Sequence, residues 1–186
     1  MNTLITTAVT GLFVWSPVSA GTPNTPVELP SYTVSMTAYN AVPGQTDSTP
    51  DITASGAFSN PDLIAARSRD LADELPFGTV IEVVSADTSN NCGFETVKDQ
   101  TGLRVIGDVM NARMVNKVDI LFDTKDTARV GGKQISAARA LGRCSGVEIR
   151  VVGKIDIKDI PKTQNQLRLA IGVLEKAGPQ TLAVSK

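Results

Sequence analysis

The chain contains no histidine. Histidine is the side chain whose charge ordinarily changes nearest neutral pH and the commonest proton shuttle, so any acid–base chemistry falls to carboxylates. There are only two cysteines, Cys92 and Cys144, and no CxxC pair. Together these absences argue against a zinc site, and the reading calls for no metal and no cofactor. Aromatic residues make up 4% of the 186 positions, and Trp15 is the one tryptophan. Packing must therefore come from Val, Ile, Leu and Ala, and a surface built on ring stacking is disfavoured. No Lys or Arg precedes Arg67, and the only acidic residues before it are Glu28, Asp47, Asp51 and Asp62. The whole chain carries a net charge of −1, which argues against a nucleic-acid partner held by phosphate neutralisation.

What is present reads as one domain with extensions. Hydrophobic residues account for 41% of the chain, enough for a globular core. Leu4 to Trp15 is an uncharged apolar run, and Val18-Ser19-Ala20 offers a small-residue cleavage site before Gly21. Residues 1–20 are expected to be a secretory signal, although no basic residue precedes the run. The run is short for a membrane span, and no cysteine follows it to carry a lipid anchor. The mature chain is thus expected in the periplasm, in the cell envelope or outside the cell, with no membrane span. In an exported chain an even cysteine count points to one disulfide. A Cys92–Cys144 bridge would contribute about 3–4 kcal/mol through loop closure; two unrelated thiols are the alternative.

Residues 21–31 read as a Pro- and Thr-rich linker. Strands are expected at Tyr32–Tyr39, Phe77–Val84, Phe94–Lys98, Leu103–Val109, Val118–Phe122 and Val147–Ile155. Asp62–Leu75 reads as part strand, part helical turn, after a long loop from Asn40 to Asn60. Asp123–Val130 and Ile135–Leu141 read as helical, separated by Gly131-Gly132. Gln164–Ala177 is an amphipathic helix through Leu167, Ala170, Ile171 and Leu174, expected to pack outside the strands. Many short strands with few helices predict an all-β fold with short helices closed into a barrel.

The residues of chemical interest are Asp108 and Asp119, which bracket DVMNARMVNKVD. The second lies in the strand-like run VDILF. A carboxyl half-buried at a sheet mouth has its pKa raised, and a neighbouring carboxylate raises it further. That is one route to a general acid at neutral pH.

Five stretches occur in order: TAY at 37–39, TDSTPDITASG at 46–56, LPFGT at 75–79, DVMNAR at 108–113 and VDILF at 118–122. Together they resemble the three-aspartate (3D) domain family, a six-stranded double-psi β-barrel similar to the catalytic barrel of membrane-bound lytic transglycosylase A. Asp108 and Asp119 match two of the family's aspartates, eleven residues apart. At the third, Arg67 or Ser68 stands instead, with Asp70 close by, and Val109-Met110-Asn111 replaces the family's frequent Thr-Gly-Gly. Ile135–Ile149 is also similar to the end of the barrel in rare lipoprotein A. The resemblance covers residues 32–155 and leaves 156–186 as a C-terminal helical extension.

The resemblance implies cleavage of the β-1,4 bond between N-acetylmuramic acid and N-acetylglucosamine in peptidoglycan strands. It implies Asp119 as general acid and base, with Asp108 tuning it or holding a sugar hydroxyl. Thr37, Thr53 and Ser55 would donate hydrogen bonds, Asn111 would bind an acetamido group, and Arg113 a lactyl or peptide carboxylate. Two other readings stay open: a secreted barrel that binds peptidoglycan or another glycan without cleaving it, and a structural barrel with no glycan.

Overall fold

The computed structural model describes residues 29–42, 49–87 and 91–177, with side chains up to 172. The expected signal and most of the expected linker lie outside the described residues. The fold is mostly β. Six strands form a mixed sheet that rings round: β1 (Ser31–Asn40), β2 (Ile64–Arg67), β3 (Thr79–Asp87), β4 (Leu103–Val109), β5 (Lys117–Phe122) and β8 (Cys144–Lys154), in the order β1-β5-β2-β4-β3-β8. The β1–β5 and β2–β4 pairs are parallel and the other four are antiparallel. A two-stranded hairpin, β6 (Thr127–Val130) and β7 (Lys133–Ser136), stands apart from the ring. The helices are α1 (Phe94–Thr101), α2 (Ala137–Leu141) and α3 (Gln164–Ala177).

Period-two alternation explains which side chains fill the ring. Val34 and Met36 of β1 are buried with Val118, Ile120 and Phe122 of β5, Ile81 and Val83 of β3, and Val147 and Ile149 of β8. The alternate residues Val80 and Val105 belong to a second apolar cluster with Leu63, Leu167 and Ile171. The α3 helix therefore covers the outer face of the sheet, on the i, i+4 stripe of Leu167 and Ile171. Gly153 of β8 makes room for it, since a Cβ there would lie 2.6 Å from Ile171. Gln164 fastens the helix start: its amide donates to Leu103 O at 2.9 Å and to Asp62 O, and its oxygen accepts from Leu103 N at 3.0 Å. No described helix is long and apolar enough to cross a membrane.

Two stretches differ from the sequence reading. Phe94–Lys98, expected as a strand, is the first part of α1. Its Phe, Thr and Val are good strand formers, but Phe94, Val97 and Thr101 are the buried positions, a spacing of three and four that only a helix puts on one face. Gly93 starts this helix where a Cβ would strike Ala140 O of α2. Asp123–Val130, expected as helical, is a turn followed by β6. Asp123 accepts from Lys125 N while Asp126 accepts from Asp123 N, each at 2.9 Å. Gly131 and Gly132, at φ 57° and 79°, then form a two-residue loop with both residues left-handed, the turn that matches strand twist in a hairpin. Of Ile135–Leu141 only α2 is helical, capped by the Ser136 hydroxyl, which accepts from Arg139 N.

Cys92 and Cys144 form a disulfide with 52 residues of separation. Cys92 precedes α1 and Cys144 opens β8, so the bridge ties the α1–α2 layer to the ring. Such bridges persist in oxidising compartments.

Candidate active site

Asp108 is near the end of β4 and Asp119 near the start of β5, and β2 runs between them. Ala66 of β2 pairs with Asp108 on one side and with Asp119 on the other. Residues directly opposite in a sheet share a face, so the two carboxylates and the alanine methyl project to the same side. Two strand spacings separate the acids, about 10 Å between Cα atoms. The small Ala66 side chain, 4% exposed, leaves the space between them open. A cleft of about 510 Å³ occupies it, with Tyr39, Ala66, Asp108 and Asp119 among its walls.

The loop from 110 to 116 straddles the end of β2 and is hydrogen-bonded to it. Met110 N donates to Arg67 O at 2.8 Å and Ser68 N to Lys117 O at 2.9 Å. Lys117 N donates to the Ser68 hydroxyl at 3.0 Å, and Asn116 N to the Asp70 carboxylate at 2.8 Å. These bonds also place Arg67, Ser68 and Asp70, the three residues weighed in the sequence for a third acidic position. Arg67 and Ser68 are buried, and Arg67 donates to Leu75 O at 2.7 Å. The Asp70 carboxyl is held below its usual range, by the Ser68 hydroxyl first and by Asn116 N as well. It serves the loop rather than the cleft wall.

The two acids differ in their surroundings. Asp108 is an acceptor on both oxygens: Oδ2 from the Tyr39 hydroxyl at 3.1 Å, Oδ1 from Ala54 N at 3.0 Å and Val109 N at 2.9 Å. Asp119 accepts one hydrogen bond among the described residues, to Oδ1 from the Thr37 hydroxyl at 2.7 Å, made possible by the Thr37–Asp119 pairing of β1 and β5. Its other oxygen is free to meet a ligand. Burial pushes the Asp119 carboxyl up to about 6; the Thr37 hydroxyl and the Lys117 charge pull the other way, and repulsion from Asp108 adds least. The second carboxylate is therefore a minor influence, and desolvation is the main one. Tyr39 is raised above the usual tyrosine range, by burial first and by Asp108 next, and stays a hydrogen-bond donor at neutral pH.

The remaining residues singled out in the sequence fall into two groups. Asn111 lines the cleft. Thr53 and Ser55 hydrogen-bond to each other at 3.0 Å, and Thr53 also donates to Ala57 O at 3.1 Å. With Ser55 N on Gly107 O and Ala54 N on Asp108, they brace the 49–60 loop against β4 and are not on the cleft wall. Arg113 is exposed on the 110–116 loop, also off the cleft wall. Residues not foreseen are Tyr39 and Arg69, which line the cleft, and Ile52, which forms an isolated bridge with Phe58 at its rim. Ile52 and Phe58 are 50% and 65% exposed, an apolar pair beside a polar floor. The TAY stretch carried the signal for Tyr39; its partner lies 69 residues away and is set by strand order alone.

Arg104, fully buried, was also not foreseen. Its guanidinium donates to Gln100 O at 2.7 Å and Leu121 O at 2.9 Å, and to Thr101 O and Pro61 O. It lies 5.5 Å from the Phe122 ring centre. It caps the last carbonyls of α1 and ties that helix to β5, with no carboxylate in ion-pair contact among the described residues. Burial pushes it down to about 10, so it remains charged.

No protein-family model matches the chain, and no curated protein matches it.

Proposed function

We propose that the chain is an exported double-psi barrel that cleaves peptidoglycan strands as a lytic transglycosylase, with Asp119 as its single acid and base. The barrel reading is supported by the closed order of six strands, by its two parallel pairs, and by the chain leaving β2 being hydrogen-bonded to both ends of the 110–116 loop. The observation that carries the catalytic reading is the Asp119 carboxyl: on a rigid strand, with one oxygen free in the cleft, and titrating near 6 rather than near 4. A general acid works best with a pKa close to the working pH.

In the proposed cycle Asp119 gives its proton to the glycosidic oxygen as the bond from that oxygen to the muramyl anomeric carbon breaks. The muramyl 6-hydroxyl then bonds to the same carbon and returns its proton to Asp119. The product is a 1,6-anhydro sugar, no water is consumed, and the carboxyl ends as it began. Only one carboxyl changes protonation, so the separation demanded of a two-carboxylate glycosidase is not needed. Asp108 holds the 49–60 loop and Tyr39 in place beside it.

Mass spectrometry of purified sacculi tests this. Wild-type protein is expected to release 1,6-anhydro muropeptides and Asp119→Asn to release none. Retention of both proteins on insoluble peptidoglycan without such products would leave a glycan-binding barrel; no retention and no products would remove the glycan reading.

A further inference from the structure

Arg69 opens the short turn after β2 and is the only basic residue among the described residues lining the cleft. Its backbone is fixed by its neighbours, since Ser68 N is bonded to Lys117 O and Arg69 O accepts from Ala72 N at 3.2 Å. Its guanidinium has no hydrogen-bond or ion-pair partner among the described residues. The carboxylates on the cleft wall have other partners, Asp108 with Tyr39, Ala54 N and Val109 N and Asp119, through one oxygen, with Thr37, while the adjacent Asp70 accepts from Asn116 N. An arginine left with five donors on the wall of a cleft is suited to a planar anion. Asn111, on the same cleft, uses its oxygen to accept from Arg113 N at 3.2 Å, which leaves its amide hydrogens as further donors.

Resting on the transglycosylase reading, we propose that Arg69 is the residue that selects a carboxylate-bearing glycan, pairing with a substrate carboxylate while Asp119 meets the scissile oxygen. Arg113, off the cleft wall, is not needed for this. The carboxylate can belong to the lactyl group of a muramyl residue or to a peptide attached to it. A neutral oligomer of N-acetylglucosamine has none and forfeits the contact.

Binding is measured by calorimetry with full-length Asp119→Asn protein, which holds its ligand uncleaved, with and without Arg69→Gln or Arg69→Lys. The probes are a muramyl-containing hexasaccharide with free lactyl carboxylates, its methyl ester, the same glycan with short stem peptides, and the neutral N-acetylglucosamine hexamer. The free acid or the peptide-bearing glycan is expected to bind about tenfold to a hundredfold tighter than the ester, the range for a hydrogen bond to a charged group. Whichever of the two shows the preference identifies the source of the carboxylate. Arg69→Gln is expected to abolish that preference and Arg69→Lys to keep part of it, with unchanged unfolding midpoints because the side chain is exposed. A preference that survives Arg69→Gln, or binding of both the free acid and the peptide-bearing glycan no tighter than the ester, overturns the role of Arg69 and leaves the glycan reading standing. Binding of none of the four probes removes both.

Discussion

Replacing Asp119 by Asn should stabilise the protein at neutral pH. An aspartate that titrates near 6 in the folded state and near 3.8 when unfolded is easier to ionise in the unfolded chain. Between these values the folded state binds the extra proton, so stability is highest below about pH 4 and falls as the pH rises through about 6. At 1.36 kcal/mol for each tenfold difference, the full loss is about 3 kcal/mol. Asparagine keeps an oxygen for the Thr37 hydroxyl and carries no charge to desolvate. Urea denaturation of both proteins from pH 4 to pH 8 measures the effect. The two stabilities are expected to diverge across that window, with the variant ahead by about 2–3 kcal/mol at pH 7. Asp70 and Asp123, both held below the usual range, contribute a slope of opposite sign at lower pH, but the two proteins share it and it cancels in the difference. Parallel curves would refute the assignment of a buried, proton-retaining carboxyl to position 119.

Thr37→Val removes the hydroxyl that lowers the Asp119 pKa; carbon-detected NMR of the carboxyl should show its titration moving upward, and a shift downward would contradict the hydrogen bond's role. Cys92→Ser with Cys144→Ser opens a 52-residue separation and should cost about 4 kcal/mol in denaturant; a loss below about 1 kcal/mol would show that the unfolded chain is little constrained by the bridge. Arg104→Met leaves the carbonyls of Gln100, Thr101 and Leu121 without their donor and should cost at least about 3 kcal/mol; an unfolding midpoint close to wild type would show that these groups find other partners.

The sequence was most readable where one face alternates over several residues. Val34 and Met36 in β1, Val118, Ile120 and Phe122 in β5, and Leu167 and Ile171 in α3 mark their elements directly. It was least readable in short segments whose composition and burial disagree. The α1 helix is eight residues, half of them strand-favouring, held by packing against α2 and the disulfide. The β6–β7 hairpin carries Ala and Arg that look helical, while its paired glycines decide the turn. In the cleft, the spacing of Asp108 and Asp119 pointed to both acids. The resemblance pointed to Asp119 as the acid, but the burial that raises its carboxyl was not legible, because it is set by strands and loops that arrive from elsewhere in the chain. Thr53 and Ser55 looked like ligand donors because hydroxyls in a long loop carry no mark of their partners.

Ala66 is the common rung between the two acids. Their separation is consequently a property of the hydrogen-bonded lattice and not of the twelve-residue stretch that joins them in the chain. Sequence drift in the 110–116 loop can reshape the rim, and with it the choice of ligand, while the gap across the floor stays constant. Rim and floor are in that sense free to evolve separately.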